Sequence, residues 1–373
     1  MRVMTGFKLF RNMELYDPEL LGIRDILVYD DKIIKIEKDI NFNLAKYEAY
    51  DCSGLLCVPG FVDGHVHIIG GGGEGGFFTR TTPGEPEAFF KVGTTTVIGL
   101  LGTDAVTRTH SELLGQARKF THSNLNTYIM TGSYSYPPMS LTGSIKTDIV
   151  FIPEFIGVGE VAIADHRSSG ISPVELRRLG LDSRVSGMLA GKAGKIIVHL
   201  GGSDCRLEVL KKSVERDDVP ASQFLPTHIN RTEELLEDGI LWINDYNGYI
   251  DFTAGDETAE ILSSIVNSET PLERILISTD AWGSKPVFDN GQLVSIERAG
   301  EDPLLKTFRK LVLDHSLPVQ QALKPFTSNV SDYFGLKNGT GHIREGEKAS
   351  FVLFTSDFNI KKTVSNGRIV WKK

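Results

Sequence analysis

Eight short apolar segments in this 373-residue chain alternate with charge-rich, helix-like stretches, and metal-capable polar residues recur near their C-terminal ends. The segments are GFVDGHVH, TTTVIGLLGTD, NTYIMTGSY, GEVAIADHR, KIIVHLGG, FLPTHINR, YIDFTAG and RILISTD. Between them lie helical candidates such as SELLGQARKF, SPVELRRLGLD, SDCRLEVLKKSVER, RTEELLEDGILWI and TAEILSSIV. This alternation predicts an α/β chain built around a (β/α)8 TIM-type barrel. In such a barrel the strand C-termini converge on one face. His65, His67, Glu160, His199, His228 and Asp280, distant in sequence, should therefore meet in space.

The two chain ends follow a different pattern. DILVYDDKIIKIEKDI alternates apolar and polar residues around Asp30-Asp31, and SFVLFTSDFNIKKTVSNGRIVWKK does so around Asn366-Gly367, a hairpin signal. Residues 1–55 and 341–373 are expected to combine into a small β-sandwich domain formed from both termini, with 56–340 as the barrel.

Composition narrows the function classes. An apolar fraction of 40% and a charged fraction of 24% suit a soluble globular protein with an ample core. A net charge of -8 without a long basic run argues against nucleic acid as a partner. No apolar run is long enough for a membrane span, and the N-terminus lacks the apolar core of a signal peptide. The three cysteines, Cys52, Cys57 and Cys205, form no metal motif, and so sparse a set fits a reducing compartment. The expected location is the cytoplasm.

His65 and His67 are two residues apart, so a strand turns both imidazoles to one side. With carboxylates beside them they suit Zn2+ or a similar divalent ion. A lone histidine is more often a structural residue. The strand-end positions of His199 and His228, together with Asp280, favour a metal centre. His110, His122, His315 and His342 do not share the pattern, and His166 reads as a residue behind the ligands or on a substrate loop.

Glu160 poses a separate question. It interrupts an apolar strand, GVGEVAIAD, where an unpaired carboxylate would be costly. Two readings stand: a side chain turned to solvent, or a carboxylate that something positively charged awaits. Gly157 and Gly159 can relax the backbone around it.

PGFVDGHVH resembles the strand-one HxH motif of the amidohydrolase superfamily. The runs HVHIIGGGGEGG, VIGLLGTD, TGSY, ADHRSS, LPTHINR and STDAWGSKPVFD resemble isoaspartyl dipeptidases in particular. The similarity extends from about Gly54 to the C-terminus, where GHIREGEKASFVLF is similar to the superfamily's returning sheet segment. It implies two divalent metal ions, expected to be zinc: His65 and His67 with Asp280 on one, His199 and His228 on the other. In that family a carboxylated lysine at the end of strand four bridges the ions. Here the position holds Glu160, expected to bridge the ions in its place, the alternative being a single-ion site with Glu160 behind the ligands. Its carboxylate lies closer to the backbone, so strand and metals would have to approach each other.

The resemblance also implies roles. A hydroxide between the metals would attack the β-aspartyl peptide bond of a dipeptide substrate, with Asp280 as general base and acid. Tyr134 would polarise the carbonyl. Glu74 would hold the substrate's α-amino group, and Arg167 and Arg231 its carboxylates, a task suited to bidentate guanidinium pairing. Ser284 and Thr103 would donate hydrogen bonds. A homo-oligomer is implied as well. The alternatives are another amidohydrolase reaction, on a cyclic amide (dihydroorotase-like) or an N-acyl amino acid, and a non-catalytic scaffold on the same fold.

Overall fold

The computed structural model describes residues 6–41, 46–266, 268–289 and 292–373. All eight apolar segments form strands, here numbered β1 (Phe61–Val66), β2 (Thr94–Gly99), β3 (Asn126–Thr131), β4 (Phe155–Ile163), β5 (Lys195–Leu200), β6 (Phe224–Thr227), β7 (Ile250–Thr253) and β8 (Ile275–Ser278). β1 to β6 pair in series, all parallel, and β7 pairs parallel with β8. β7 meets β6 through side chains: the Thr227 hydroxyl donates to Asp251 at 2.6 Å. The ring closes where Val66 bridges Ala281 and the His67 N–H donates to the Ala281 carbonyl at 2.9 Å.

The interior of this barrel is packed. Val62, Ile98, Met130, Ile156, Ile197, Leu225 and Leu276 form one buried apolar cluster that plugs its lower part. Above the plug the lining turns polar. Asp63 accepts from the Thr279 hydroxyl at 2.5 Å, and Asp251 accepts from Thr227 and Ser278 at 2.6 Å each. Buried acids require such partners. Burial pushes Asp63 up to about 7 and Asp251 up to about 6 against these hydrogen bonds.

Several of the helices outside the ring start where a side chain caps them. Thr109, Ser172 and Thr232 accept from the first-turn N–H groups of Glu112, Glu175 and Leu235, and Ser172 with Glu175 completes a capping box. The stretch from Ser203 to Arg216 is less helical than its sequence suggests, with an α-helix only over Glu208–Ser213. A hairpin not foreseen in the sequence, Ser284–Asp289 with Gln292–Arg298, follows β8 beside the barrel mouth.

The two chain ends combine into one separate eight-stranded sheet, where a small sandwich was expected. Its strand Phe7–Asp17 pairs with Tyr47–Asp51 along its first half and reaches Leu56–Pro59 along its second. Leu56–Pro59 in turn pairs with Phe351–Phe354 from the other terminus. The chain thus leaves this sheet at Gly60, a few residues beyond the expected junction at 55/56. Phe10, Met13, Ile26, Cys57, Phe351 and Val364 share its buried apolar face. No helix among the described residues is long and apolar enough to cross a membrane.

Candidate active site

The barrel brings the six ligand candidates together at the mouth. His65 lies in β1, Glu160 in β4 and His199 in β5; His67, His228 and Asp280 sit just past the ends of β1, β6 and β8. Glu160 is 1% exposed, which rules out a solvent-facing side chain. Its two oxygens divide between two histidine pairs. Oε1 lies 3.4 Å from His65 Nε2 and 3.6 Å from His67 Nε2, whereas Oε2 lies 3.0 Å from His199 Nδ1 and 3.7 Å from His228 Nε2. Asp280 Oδ1 stands 3.5 Å from His65 Nε2 and 3.0 Å from His67 Nε2.

Two ligand triads result, His65–His67–Glu160 and Glu160–His199–His228, sharing the glutamate. His65 Nε2 and Asp280 Oδ1 are buried and make no hydrogen bond. Orphaned imidazole and carboxylate atoms turned toward one point are what a divalent cation satisfies, so the residues present fit a metal centre. Burial disfavours the Glu160 charge, but His65 and His199 hold its carboxyl well below the usual range. Burial likewise opposes charge on His65, and Glu160 with Asp280 outweighs it, pushing the imidazole up to about 10.

Strand four reaches the cluster because its glycines allow it. A Cβ on Gly157 would overlap the Lys195 carbonyl oxygen, and one on Gly159 would come within 2.9 Å of Ile197 Cβ. β4 therefore packs against β5 more closely than a side-chain-bearing residue permits at these points.

A cavity of 230 Å³ opens beside the cluster, lined in part by Thr103, Tyr134, Arg167, Arg231, Asp280 and Ser284. The Ser284 hydroxyl donates to Glu74 Oε1 at 2.7 Å, and Arg167 Nη1 lies 3.5 Å from the same oxygen. Every candidate for substrate contact is thus at the cavity or its rim. Arg167 differs from expectation in one respect: its bidentate edge is already taken. Nε and Nη2 donate to Asp165 at 2.9 and 2.8 Å, which leaves Nη1 as the arm near Glu74. Arg231 Nη1 donates to the Leu200 carbonyl at 2.7 Å. Tyr134 is buried, and its hydroxyl lies 2.9 Å from His199 Nδ1. Burial and then Glu160 push its phenol well above the ordinary value, so it stays a neutral donor. His166 does not join the site; its side chain is 88% exposed.

Two contributors escaped the sequence reading. Arg108, 3% exposed, donates to the carbonyls of Ile69, Gly71 and Thr81 and holds the glycine loop that carries Glu74. Backbone carbonyls leave no letter in the sequence, so nothing pointed to it. Asp165 touches both Arg167 and His199. Its signal was an acid inside the DHR run, two residues past the strand that carries Glu160.

The amidohydrolase family pattern matches residues 56–370, and this chain belongs to that family. Over its whole length it is similar to a beta-aspartyl dipeptidase from the thermophilic, keratin-degrading Fervidobacterium islandicum AW-1, solved in complex with the beta-Asp-Leu dipeptide. The identity is 38% over 100% of this chain and 97% of that one, with a TM-score of 0.94. A second structure of the beta-aspartyl dipeptidase from that organism gives 36% identity over 98% and 97%, with a TM-score of 0.90. A dihydroorotase from Elusimicrobium minutum is 38% identical over only 100 residues, which span 26% of this chain and 22% of that enzyme.

Proposed function

We infer that this chain is a metal-dependent hydrolase of the β-aspartyl peptide bond in dipeptides. The observation that carries the reading is the charge arrangement around one cavity. Glu74 supplies an anion at the rim, Arg167 and Arg231 supply two cations, and the histidine–carboxylate cluster forms the floor. A β-aspartyl dipeptide carries one ammonium and two carboxylates, the complementary set. The similarity to a dipeptidase solved with beta-Asp-Leu supports the same substrate class.

His65, His67 and Asp280 would hold one divalent ion and His199 with His228 the other, with a Glu160 oxygen on each; zinc suits these ligands. When bound, such ions make water acidic enough to attack at neutral pH and draw charge from the scissile carbonyl. The remaining steps belong to the chain. Asp280 accepts the proton of the attacking water and delivers it to the nitrogen as the C–N bond breaks, releasing aspartate and a free amino acid. Tyr134 donates its O–H toward the developing oxyanion once a substrate draws it from His199. Glu74, fixed by Ser284, takes the substrate ammonium, while Arg167 and Arg231 take the carboxylates and Thr103 adds a hydrogen bond. A second cavity of 400 Å³ shares Asp280 and Ser284 with the first and offers room for the side chain of the departing residue. An intracellular, homo-oligomeric enzyme is consistent with the sparse cysteines and with the family resemblance.

The test is incubation of purified protein with β-Asp-Leu and with α-Asp-Leu, with and without added Zn2+. Leucine release from the β-linked form alone, and only with metal, is expected. No metal-dependent release from β-Asp-Leu overturns the reading. Hydrolysis of dihydroorotate or of an N-acyl amino acid in its place moves the enzyme to another amidohydrolase reaction.

A further inference from the structure

Asp165 lies two residues past β4, and its side chain is 3% exposed. Both oxygens are fully engaged. Oδ1 accepts the Arg167 backbone N–H at 2.7 Å and Arg167 Nε at 2.9 Å. Oδ2 accepts Arg167 Nη2 at 2.8 Å and faces His199 Nε2 at 3.1 Å. One carboxylate therefore touches both a metal-ligand candidate and a substrate-clamp candidate.

The consequence for His199 follows from its two ring nitrogens. Nδ1 points at Glu160 Oε2, 3.0 Å away, and lies 2.9 Å from the Tyr134 hydroxyl. Nε2 lies nearest Asp165 Oδ2, at 3.1 Å, with Arg167 Nη2 and the Tyr134 hydroxyl each at 3.3 Å. Both nitrogens face a carboxylate, which can only accept. Where Nδ1 serves the cluster as a ligand its lone pair is committed there, and Asp165, nearer to Nε2 than the Arg167 Nη2 donor, takes the ring proton on that side. For Arg167, Asp165 fixes the Nε/Nη2 edge, and the guanidinium stands 5.1 Å over the Tyr134 ring. Only Nη1 is left to swing between Glu74 and a substrate.

We propose that Asp165 is a positioning residue that sets the His199 tautomer and the Arg167 pose together, so that the metal ion on His199 and His228 and the substrate carboxylate depend on one side chain. This rests on the dipeptidase reading for its kinetic arm only.

Asp165→Asn separates the roles. The amide can present an N–H to His199 Nε2, which drives the ring proton to Nδ1 and blocks the cluster side. Zn2+ affinity, measured without substrate by competition with a chromophoric chelator, is expected to fall about 10- to 100-fold at one of the two sites. KM for β-Asp-Leu is expected to rise in the same variant. Arg167→Met should raise KM and leave Zn2+ affinity within about twofold. In the double variant KM should be no higher than in Arg167→Met, while the Zn2+ loss of Asp165→Asn persists. Unchanged Zn2+ affinity in Asp165→Asn, or KM effects that multiply, overturns the proposal. Asp165→Glu retains an acceptor and should bind Zn2+ more tightly than Asp165→Asn; the reverse order overturns it even if one variant folds poorly. A wild-type protein that leaves β-Asp-Leu intact defeats the functional reading instead, and the Zn2+ measurements still judge Asp165.

Discussion

Ser284 donates its hydroxyl to Glu74 across 2.7 Å, joining the glycine loop after β1 to the hairpin after β8. The bond leaves the second Glu74 oxygen available to a cation. Glu74→Gln removes the charge and keeps the shape. A hydrogen bond to a charged group is worth about 1.5–3 kcal/mol. The variant should therefore lose about 10- to 100-fold in kcat/KM for β-Asp-Leu, with the bound metal unchanged. Steady-state kinetics beside metal analysis checks this; an unaltered kcat/KM removes Glu74 from substrate binding.

Glu160 is the one residue common to both ligand triads. Glu160→Ala should abolish activity and strip both ions, read as metal per chain by mass spectrometry. A ligand present at 1,000 times its Kd adds about 4 kcal/mol to stability. A chelator should accordingly lower the Tm of the metal-loaded protein by several degrees and leave that of Glu160→Ala unmoved. Retention of both ions in the variant contradicts the bridging role.

Gly157 has no room for a methyl group against the Lys195 carbonyl. Gly157→Ala must push β4 away from β5, at a cost of about 1–3 kcal/mol for overpacking. Since Glu160 lies three residues further along β4, loss of metal affinity should accompany the loss of stability. Thermal melting and chelator competition test the pair together; a destabilised variant with native metal affinity uncouples strand spacing from the site.

His342 ties the terminal sheet to the last helix of the barrel: it lies 3.4 Å from Asp17 and 3.2 Å from Asp332. Burial and Arg344 oppose its charge, but the two aspartates win and push the imidazole up to about 9. The folded value thus stands above the unfolded one of about 6.5. The stability this histidine adds is complete below pH 6.5 or so and is lost as pH rises through 9. Wild-type Tm should fall over that window more steeply than the Tm of His342→Gln, followed by calorimetry across pH. Parallel profiles would show that the cluster contributes nothing pH-dependent.

The convergence of the candidate ligands was legible in the sequence because strand geometry is regular: parallel barrel strands bring their C-terminal ends to one mouth. His65, His67, His199 and His228 meet for that reason. What stayed hidden depends on irregular chain. Arg108 bonds to carbonyls in a loop whose path no periodicity encodes. Asp165 stood in plain view within DHR, but its partner His199 is 34 positions away. Arg167, read as a free bidentate clamp, proved half committed to that same aspartate. Asp63 and Asp251 were missed because strand patterns mark apolar interiors, and these acids occupy the polar tier above the plug.

The buried Glu160 also bears on how such a centre is completed in the cell. A carbamate on lysine forms only when dissolved carbon dioxide meets an unprotonated amine, and it is lost when either runs short. A glutamate leaves the ribosome with both oxygens in place. A metal centre built on it would depend for its assembly on metal supply and folding alone, and a fall in bicarbonate or a mildly acidic interior would leave the carboxylate intact.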